Sequence, residues 1–336
     1  MLTGALIVLV ATSGAWSGET VPGRGERAPL FAGTTTLEVE LETDLRALRH
    51  PRREPGFQPG VLRWHLDGES GEEVVGVMPR GRYRLDRENC QFPPLFLQFP
   101  EDASGPFAKQ RVVPVTTHCQ PSNRQYVVQE YLAYRTYAQL TEYSVSVRLA
   151  RTRYVDASGR ARPLETLSFF MEHFDALGAR VGGTMIDSSE LRPDESEPHA
   201  TALVDLFQYM IGNTDWSILA QHNMALLRMT GGEVVPVPYD FDFAGVVNAR
   251  YAAPDEKLKI RSVRQRLYRG FCRPEEIVHA ALARIKSRRH AIYTLYRQTP
   301  ELDPKLVGSS LRYYDRFFEV AQSPQALQDK ILGACR

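Results

Sequence analysis

The hydrophobic period of this sequence changes part-way along the chain. Between Thr34 and Val155 apolar residues recur at alternate positions in short runs: "TTTLEVELE", "GVLRWHL", "EEVVGVM", "PPLFLQF", "RVVPVTT" and "YSVSVRLARTRYV". A period of two sends neighbouring side chains to opposite faces of a strand, so this half is predicted to be β-rich. One stretch breaks the pattern. In "SNRQYVVQEYLAYRTYAQLTEY", Val127, Tyr131, Tyr134, Tyr137 and Ala138 recur at helical spacing behind an Asn or Ser cap. "ETLSFFMEHFD" reads as one further strand. "ALVDLFQYMIG" reads as a short apolar helix, and the last third is helical, with Pro punctuating "PKLVGSSLRYYDRFFEVA" and "PQALQDKIL". Between the two regimes lies a stretch rich in Gly, Ser, Pro and acidic residues. The chain therefore divides into a β-rich part over 33–180, a linker or variable loop over 181–199 and a helical part over 200–336. With 336 residues, 43% of them hydrophobic, it can bury a large core as one two-part unit or two packed domains.

The charge balance excludes some functions. Forty-one Lys and Arg against 40 Asp and Glu leave no polyelectrolyte field for a phosphate backbone or an anionic membrane, so nucleic acid is not expected as a partner. Residues 1–15, "MLTGALIVLVATSGA", carry a short apolar run followed by small residues, which suits a signal peptide, although no Lys or Arg precedes the run. Residues 16–32 read as a flexible lead-in. A secreted or periplasmic location is expected, or a cytoplasmic one if that run is not a signal, with no membrane span in the mature chain. Four cysteines suit an exported protein with one or two bridges. Cys90 and Cys119 are predicted to pair, since both flank strand-like runs of the β-rich half. The absence of a CxxC pair weighs against a structural zinc site.

Two segments concentrate chemistry. "GNTDWSILAQHN", Gly212 to Asn223, is followed after a Gly-Gly turn by "VPVPYDFDFAGV", Val235 to Val246. Phosphoryl transfer needs an Asp aimed at the incoming hydroxyl, and an Asn and a further Asp to hold magnesium against the phosphates. Asp215, Asn223 and the pair Asp240 and Asp242 supply those groups in that order. Carboxylates in a run as apolar and aromatic as "PYDFDF" are rare unless paired or metal-bound.

These segments resemble the spore-coat protein H kinase-like family, whose members carry an N-x-D element, a downstream HN opening a strand, and a P-W-D-x-D element ahead of a Gly. Here they read Asn213-Thr214-Asp215, His222-Asn223 and Pro238-Tyr239-Asp240-Phe241-Asp242, with Gly245 behind. "RGRYRLDREN" is similar to an R-G element near the start of the family's small lobe. The resemblance spans Arg80 to Gly245. It implies an α+β, bilobal protein-kinase-like fold, with a β-rich N-terminal lobe containing one helix and a mostly helical C-terminal lobe, binding ATP with Mg2+ or Mn2+. By the same resemblance Asp215 is the catalytic residue, Asn223 and Asp240, with Asp242, hold the metal, and Glu172 lies near the adenine. The pattern departs from a kinase in one respect: no Lys stands in "PPLFLQF", leaving Lys109, Arg82 or Arg84 for the phosphates and Glu130 as the helix partner.

The function this implies is an atypical phosphotransferase acting on a protein or a small-molecule hydroxyl outside the cytoplasm. Two alternatives stay open: a catalytically inactive nucleotide- or partner-binding protein, and a metal-dependent hydrolase. The Arg-rich stretch from Ile260 to Arg273 is expected either to line a groove for acidic groups or to form a solvated helix face.

Overall fold

The computed structural model describes residues 25–336 except 51–54, 82, 188, 190 and 192–194, so the expected signal peptide, most of the lead-in and Arg82 lie outside the described residues. The first half runs α1 (Pro29–Ala32), β1 (Leu37–Thr43), α2 (Leu45–Arg49), β2 (Gln58–Leu66), β3 (Glu69–Pro79), β4 (Leu95–Gln98), β5 (Val112–Thr116), α3 (Arg124–Ala138), β6 (Val147–Asp156), β7 (Leu164–Met171) and α4 (Phe174–Val181). It continues with β8 (Gly183–Ile186), α5 (Pro198–Ile211), β9 (Met224–Met229), β10 (Val234–Pro238), α6 (Glu275–Ser287), α7 (Arg289–Arg297), α8 (Pro304–Gln322) and α9 (Pro324–Lys330).

Strands β1 to β7 close on themselves in the order β1-β2-β3-β4-β5-β7-β6. Strand β6 lies parallel to β1, and the other neighbours are antiparallel. This overturns the expected bilobal protein-kinase-like arrangement, in which a β-rich lobe holds a single helix. The strands form a closed mixed barrel, accompanied by α1, α2 and α3. Alternation defines the two faces of each strand, but it reads the same in an open sheet and a closed one. Closure depends on pairing residues 37–43 with 150–156, a long-range choice that leaves no mark on either run.

Alternation does predict the barrel interior. Leu37, Val39 and Leu41 of β1 point inward with Leu62, Trp64, Val75, Val77, Leu95 and Val115. Their neighbours face out, where Arg63 pairs with Glu40, Glu42 and Glu72 at 2.9, 2.9 and 2.7 Å. Such exposed pairs contribute ~0–1 kcal/mol each, so the barrel is held mainly by its lining. Strand β7 is buried on both faces because it separates two cores: Phe170 enters the barrel beside Thr166 and Ser168, while Leu167, Phe169 and Met171 face α3.

Helix α3 is wedged between β6 and β7 and a second core built from α5 to α9 and the three-stranded antiparallel sheet β10-β9-β8. Helix α5 starts at Pro198 with the Glu197 side chain capping the His199 and Ala200 N–H groups, and stops at Gly212, whose φ of 70° terminates the helix. A Cβ at Gly212 would lie 1.9 Å from the Tyr313 hydroxyl, so glycine is required there both by backbone and by packing. Cys90 pairs with Cys119 as expected, and Cys272 pairs with Cys335. Among the described residues no helix is long and apolar enough to cross a membrane.

Candidate active site

Past Gly212 the chain makes a turn set by its own side chains. Asn213 Oδ1 accepts the Asp215 N–H at 3.0 Å, and the Trp216 indole N–H donates to the Asn213 carbonyl at 3.1 Å. Ser217 and His222 then exchange backbone hydrogen bonds of 2.9 Å each, folding residues 217–222 back on themselves. This return brings His222 Nε2 to 2.8 Å from Asp215 Oδ1. It also lets Asn223 Nδ2 donate to the Asp215 carbonyl at 2.8 Å and to Asp215 Oδ2 at 3.1 Å. The hydrogen bond to Asp215 raises the His222 pKa above its ordinary value, against the effect of partial burial.

The β9–β10 hairpin joins this turn to the second acidic segment. Met224 pairs with Pro238, and the Tyr239 N–H donates to the Asn223 carbonyl at 3.1 Å, so Asn223 and Asp240 flank the same end of the ladder. Both are left-handed, Asn223 at φ 53° and Asp240 at φ 60°, as is Gln221 at φ 48°. Three non-glycine residues in this sparsely populated region within one small site are strain of the kind that collects at functional sites.

Beneath the hairpin end lies a charge cluster, buried at Asp242 and Glu130 and open to solvent at Asp240. Arg84, in the 3-10 turn Tyr83–Leu85, holds Asp240 Oδ1 at 3.1 Å and Asp242 Oδ2 at 2.5 Å. Tyr251 donates to Asp242 Oδ2 at 3.0 Å, and the Tyr134 hydroxyl of α3 accepts the Asp240 N–H at 2.8 Å. Burial works against the Arg84 charge, but Asp242 and Asp240 more than offset it and its pKa rises. Burial pushes Asp242 up to about 6 and Glu130 of α3 well above the carboxylate range, with Arg84 opposing in both cases. Arg80 completes the cluster; its Nε is buried with no hydrogen-bond partner.

The structure therefore brings together Asp215, Asn223, Asp240, Asp242, Arg84 and Glu130. Of the remaining candidates, Arg82 lies outside the described residues, and the structure does not bring Glu172 or Lys109 to them. Glu172 directly follows β7, with both carboxylate oxygens bound by Arg180 at 2.8 Å each and one also by the Ser146 N–H at 3.0 Å, all of it buried. Lys109 is exposed in the β4–β5 connection, beyond Gln98, whereas Arg80 meets Pro94 at the other end of β4.

A cleft of about 470 Å³ opens beside Asp215 and His222, walled by Trp216, Phe243, Leu258 and Arg269. Arg264 and Arg266 do not offer their charge to a groove. They stack on the Tyr313 ring at 4.5 and 3.8 Å and donate to backbone carbonyls.

Sequence reasoning passed over Asp205, within the apolar run of α5. It is fully buried, with neither oxygen hydrogen-bonded and Arg273 Nε 3.6 Å away. Burial pushes its pKa up to about 7, with Arg273 opposing. A carboxyl that holds its proton more tightly folded than unfolded stabilises at low pH, and that contribution is lost as pH rises through about 7. Asp205→Asn is accordingly expected to raise the urea midpoint more at pH 8 than at pH 5; equal shifts at both would mean that the protonation of Asp205 does not change between them.

A divalent cation is the group these motifs imply. Among the described residues no group of three or more His, Cys, Asp or Glu could hold a metal by itself. The donors present are hard oxygens, the Asp240 and Asp242 carboxylates and the Asn223 amide oxygen. They suit magnesium held by one or two carboxylates together with substrate phosphates rather than in an all-protein cage.

No family model matches the sequence, and no curated protein matches it. The resemblance to the spore-coat protein H family thus rests on its short motifs. Among solved structures, the chain is similar to the Helicobacter pylori proinflammatory kinase CtkA at 14% identity, covering 65% of this chain and 91% of that one with a TM-score of 0.41. That likeness is too low to establish a common fold.

Proposed function

We propose that this chain is a phosphotransferase that uses ATP with Mg2+ or Mn2+ to phosphorylate a hydroxyl of a protein or small molecule. The observation that carries this reading is the convergence at one hairpin end of Asp215, locked by Asn223, with Asp240 and the Arg84-bound Asp242. In this reading Asn223 and Asp240, with Asp242, would hold the metal, which would supply charge neutralisation at the phosphates. Arg84 and Arg80 provide the cationic surface expected of a small-lobe lysine, with Glu130 behind them. Asp215 orients the acceptor hydroxyl and takes up its proton, and the cleft beside it admits the acceptor. The assignment of roles follows the resemblance to the spore-coat protein H family. Two disulfides support a location outside the cytoplasm.

One observation favours a second reading, a nucleotide-binding protein without turnover: Arg84 already ion-pairs with both Asp240 and Asp242, the groups a metal would need. Calorimetry with ATP, with and without magnesium, followed by measurement of ADP release, separates the two. Magnesium-dependent binding with turnover is expected. Binding without turnover supports the second reading, and no binding with either Mg2+ or Mn2+ removes both.

A further inference from the structure

From Tyr239 to Pro274 the chain forms no helix or strand. Irregular segments of this length are uncommon inside compact units and are usually functional. Arginines fasten this one to itself, to α5 and α8 and, through Arg269 alone, to the turn that carries Asp215. Arg264 Nη1 donates to the Gly245 carbonyl at 3.1 Å. Arg266 donates through Nε and Nη2 to the Met210 carbonyl at 3.2 and 3.1 Å, and through Nη2 to the Tyr313 carbonyl at 2.5 Å. Arg269 Nη1 donates to the carbonyls of Thr214 and Trp216, the latter at 3.0 Å. Carbonyls at and beyond the C-terminus of a helix lack intrahelical donors, and here cationic side chains meet three of them.

Thr214 and Trp216 are the residues on either side of Asp215. One guanidinium nitrogen thus fixes the peptide group just before Asp215 and the one that follows Trp216, while Asn223 holds the Asp215 carbonyl between them. Arg269 is itself held from behind: its carbonyl accepts from Arg336 Nε at 2.9 Å, and the Gly270 carbonyl accepts from the Arg336 N–H at 3.1 Å. The Cys272–Cys335 disulfide closes the same junction. The side chain also lies by the Trp216 ring, 5.8 Å from its centroid.

We infer that Arg269 is a positioning residue that sets the orientation of Asp215 through the Thr214 and Trp216 carbonyls. The inference rests on the phosphotransferase reading for its catalytic consequence, but not for the geometry of the clamp. Misplacing a reacting group by about 1 Å costs on the order of a hundredfold in rate, whereas nucleotide binding at Arg84 and Asp240 does not depend on this contact. Lysine keeps a cationic donor on a flexible stem, and methionine keeps only the apolar bulk.

The test compares Arg269→Met and Arg269→Lys with the wild type in three measurements on the full chain: steady-state ADP release with magnesium and ATP, the calorimetric Kd for ATP, and hydrogen exchange of the 213–217 amides. Arg269→Met is expected to lower kcat ten- to a hundredfold, keep Kd within about twofold and speed exchange across the turn, while Arg269→Lys recovers most of the loss. An Arg269→Met protein with wild-type kcat and exchange overturns the inference. So does a parallel loss of kcat and ATP affinity, or a lysine variant no better than methionine. A wild type that neither binds nor turns over ATP removes the phosphotransferase reading instead, and the exchange measurement then decides the clamp alone.

Discussion

Arg84→Met is expected to destabilise the protein by about 3–5 kcal/mol, because it leaves the buried Asp242 carboxylate without its counter-charge. The pair itself contributes much less than that. Desolvating both ions consumes most of their attraction, and the loss on mutation reflects the charge left behind. The double variant Arg84→Met/Asp242→Asn should therefore recover most of the stability, leaving a neutral amide able to accept from Tyr251. With Asp242 already pushed up to about 6, acidification has a related effect: below that pH the carboxyl is neutral, and the deficit of Arg84→Met should narrow. Urea midpoints of the four proteins in the cycle at pH 5 and pH 8 provide the measurement. A deficit under about 1 kcal/mol at pH 8 would show that solvent reaches Asp242 and that the cluster is no tighter than a surface pair.

Asp215→Asn is expected to lower turnover by about a hundredfold or more while leaving magnesium-dependent ATP binding intact. The structure adds a physical reason for expecting the shape of the site to survive. The backbone around residue 215 is held by the Asn213 side chain, by Asn223 through the Asp215 carbonyl and by Arg269 through its neighbours, none of which needs the Asp215 charge. Asp240→Asn should give the opposite result. Asp240 meets the phosphate-bound metal in this reading, so magnesium-dependent binding should be lost along with turnover. Calorimetry and ADP release on both variants decide the division. Asp215→Asn with wild-type turnover would return Asp215 to a purely structural role, bonded to His222 and Asn223.

The barrel strands, α3 and the acidic motifs were legible in the sequence because each rests on a local regularity, whereas β8, β9 and β10 fell in stretches read as linker and helical. Alternation over residues 34–155 marked strands, the spacing of Val127, Tyr131 and Tyr134 marked α3, and carboxylates stranded among aromatic neighbours marked Asp240 and Asp242. The β9–β10 hairpin then made adjacency out of sequence order, placing Asn223 beside Asp240. The cationic partner was less legible. Arg84 was one of several candidates, and only its burial between two carboxylates separated it from Lys109, which has the chemistry expected of a kinase but the wrong end of β4. Glu172 had the expected position at the end of β7, yet its carboxylate is taken by Arg180, eight residues on across a turn and a helix.

Barrel closure, the arginine clamp on the Asp215 turn and the burial of Asp205 were decided by tertiary structure alone. Hydrophobic period records which face of a segment avoids water, and that is a property of a few neighbouring residues. Which strand completes a sheet, or which carbonyl a guanidinium reaches, is decided by the free energy of the whole packed arrangement. The β6 edge could meet β1 only once the intervening strands had curled, and Arg269 could reach Thr214 and Trp216 only once its irregular segment was drawn back across α5.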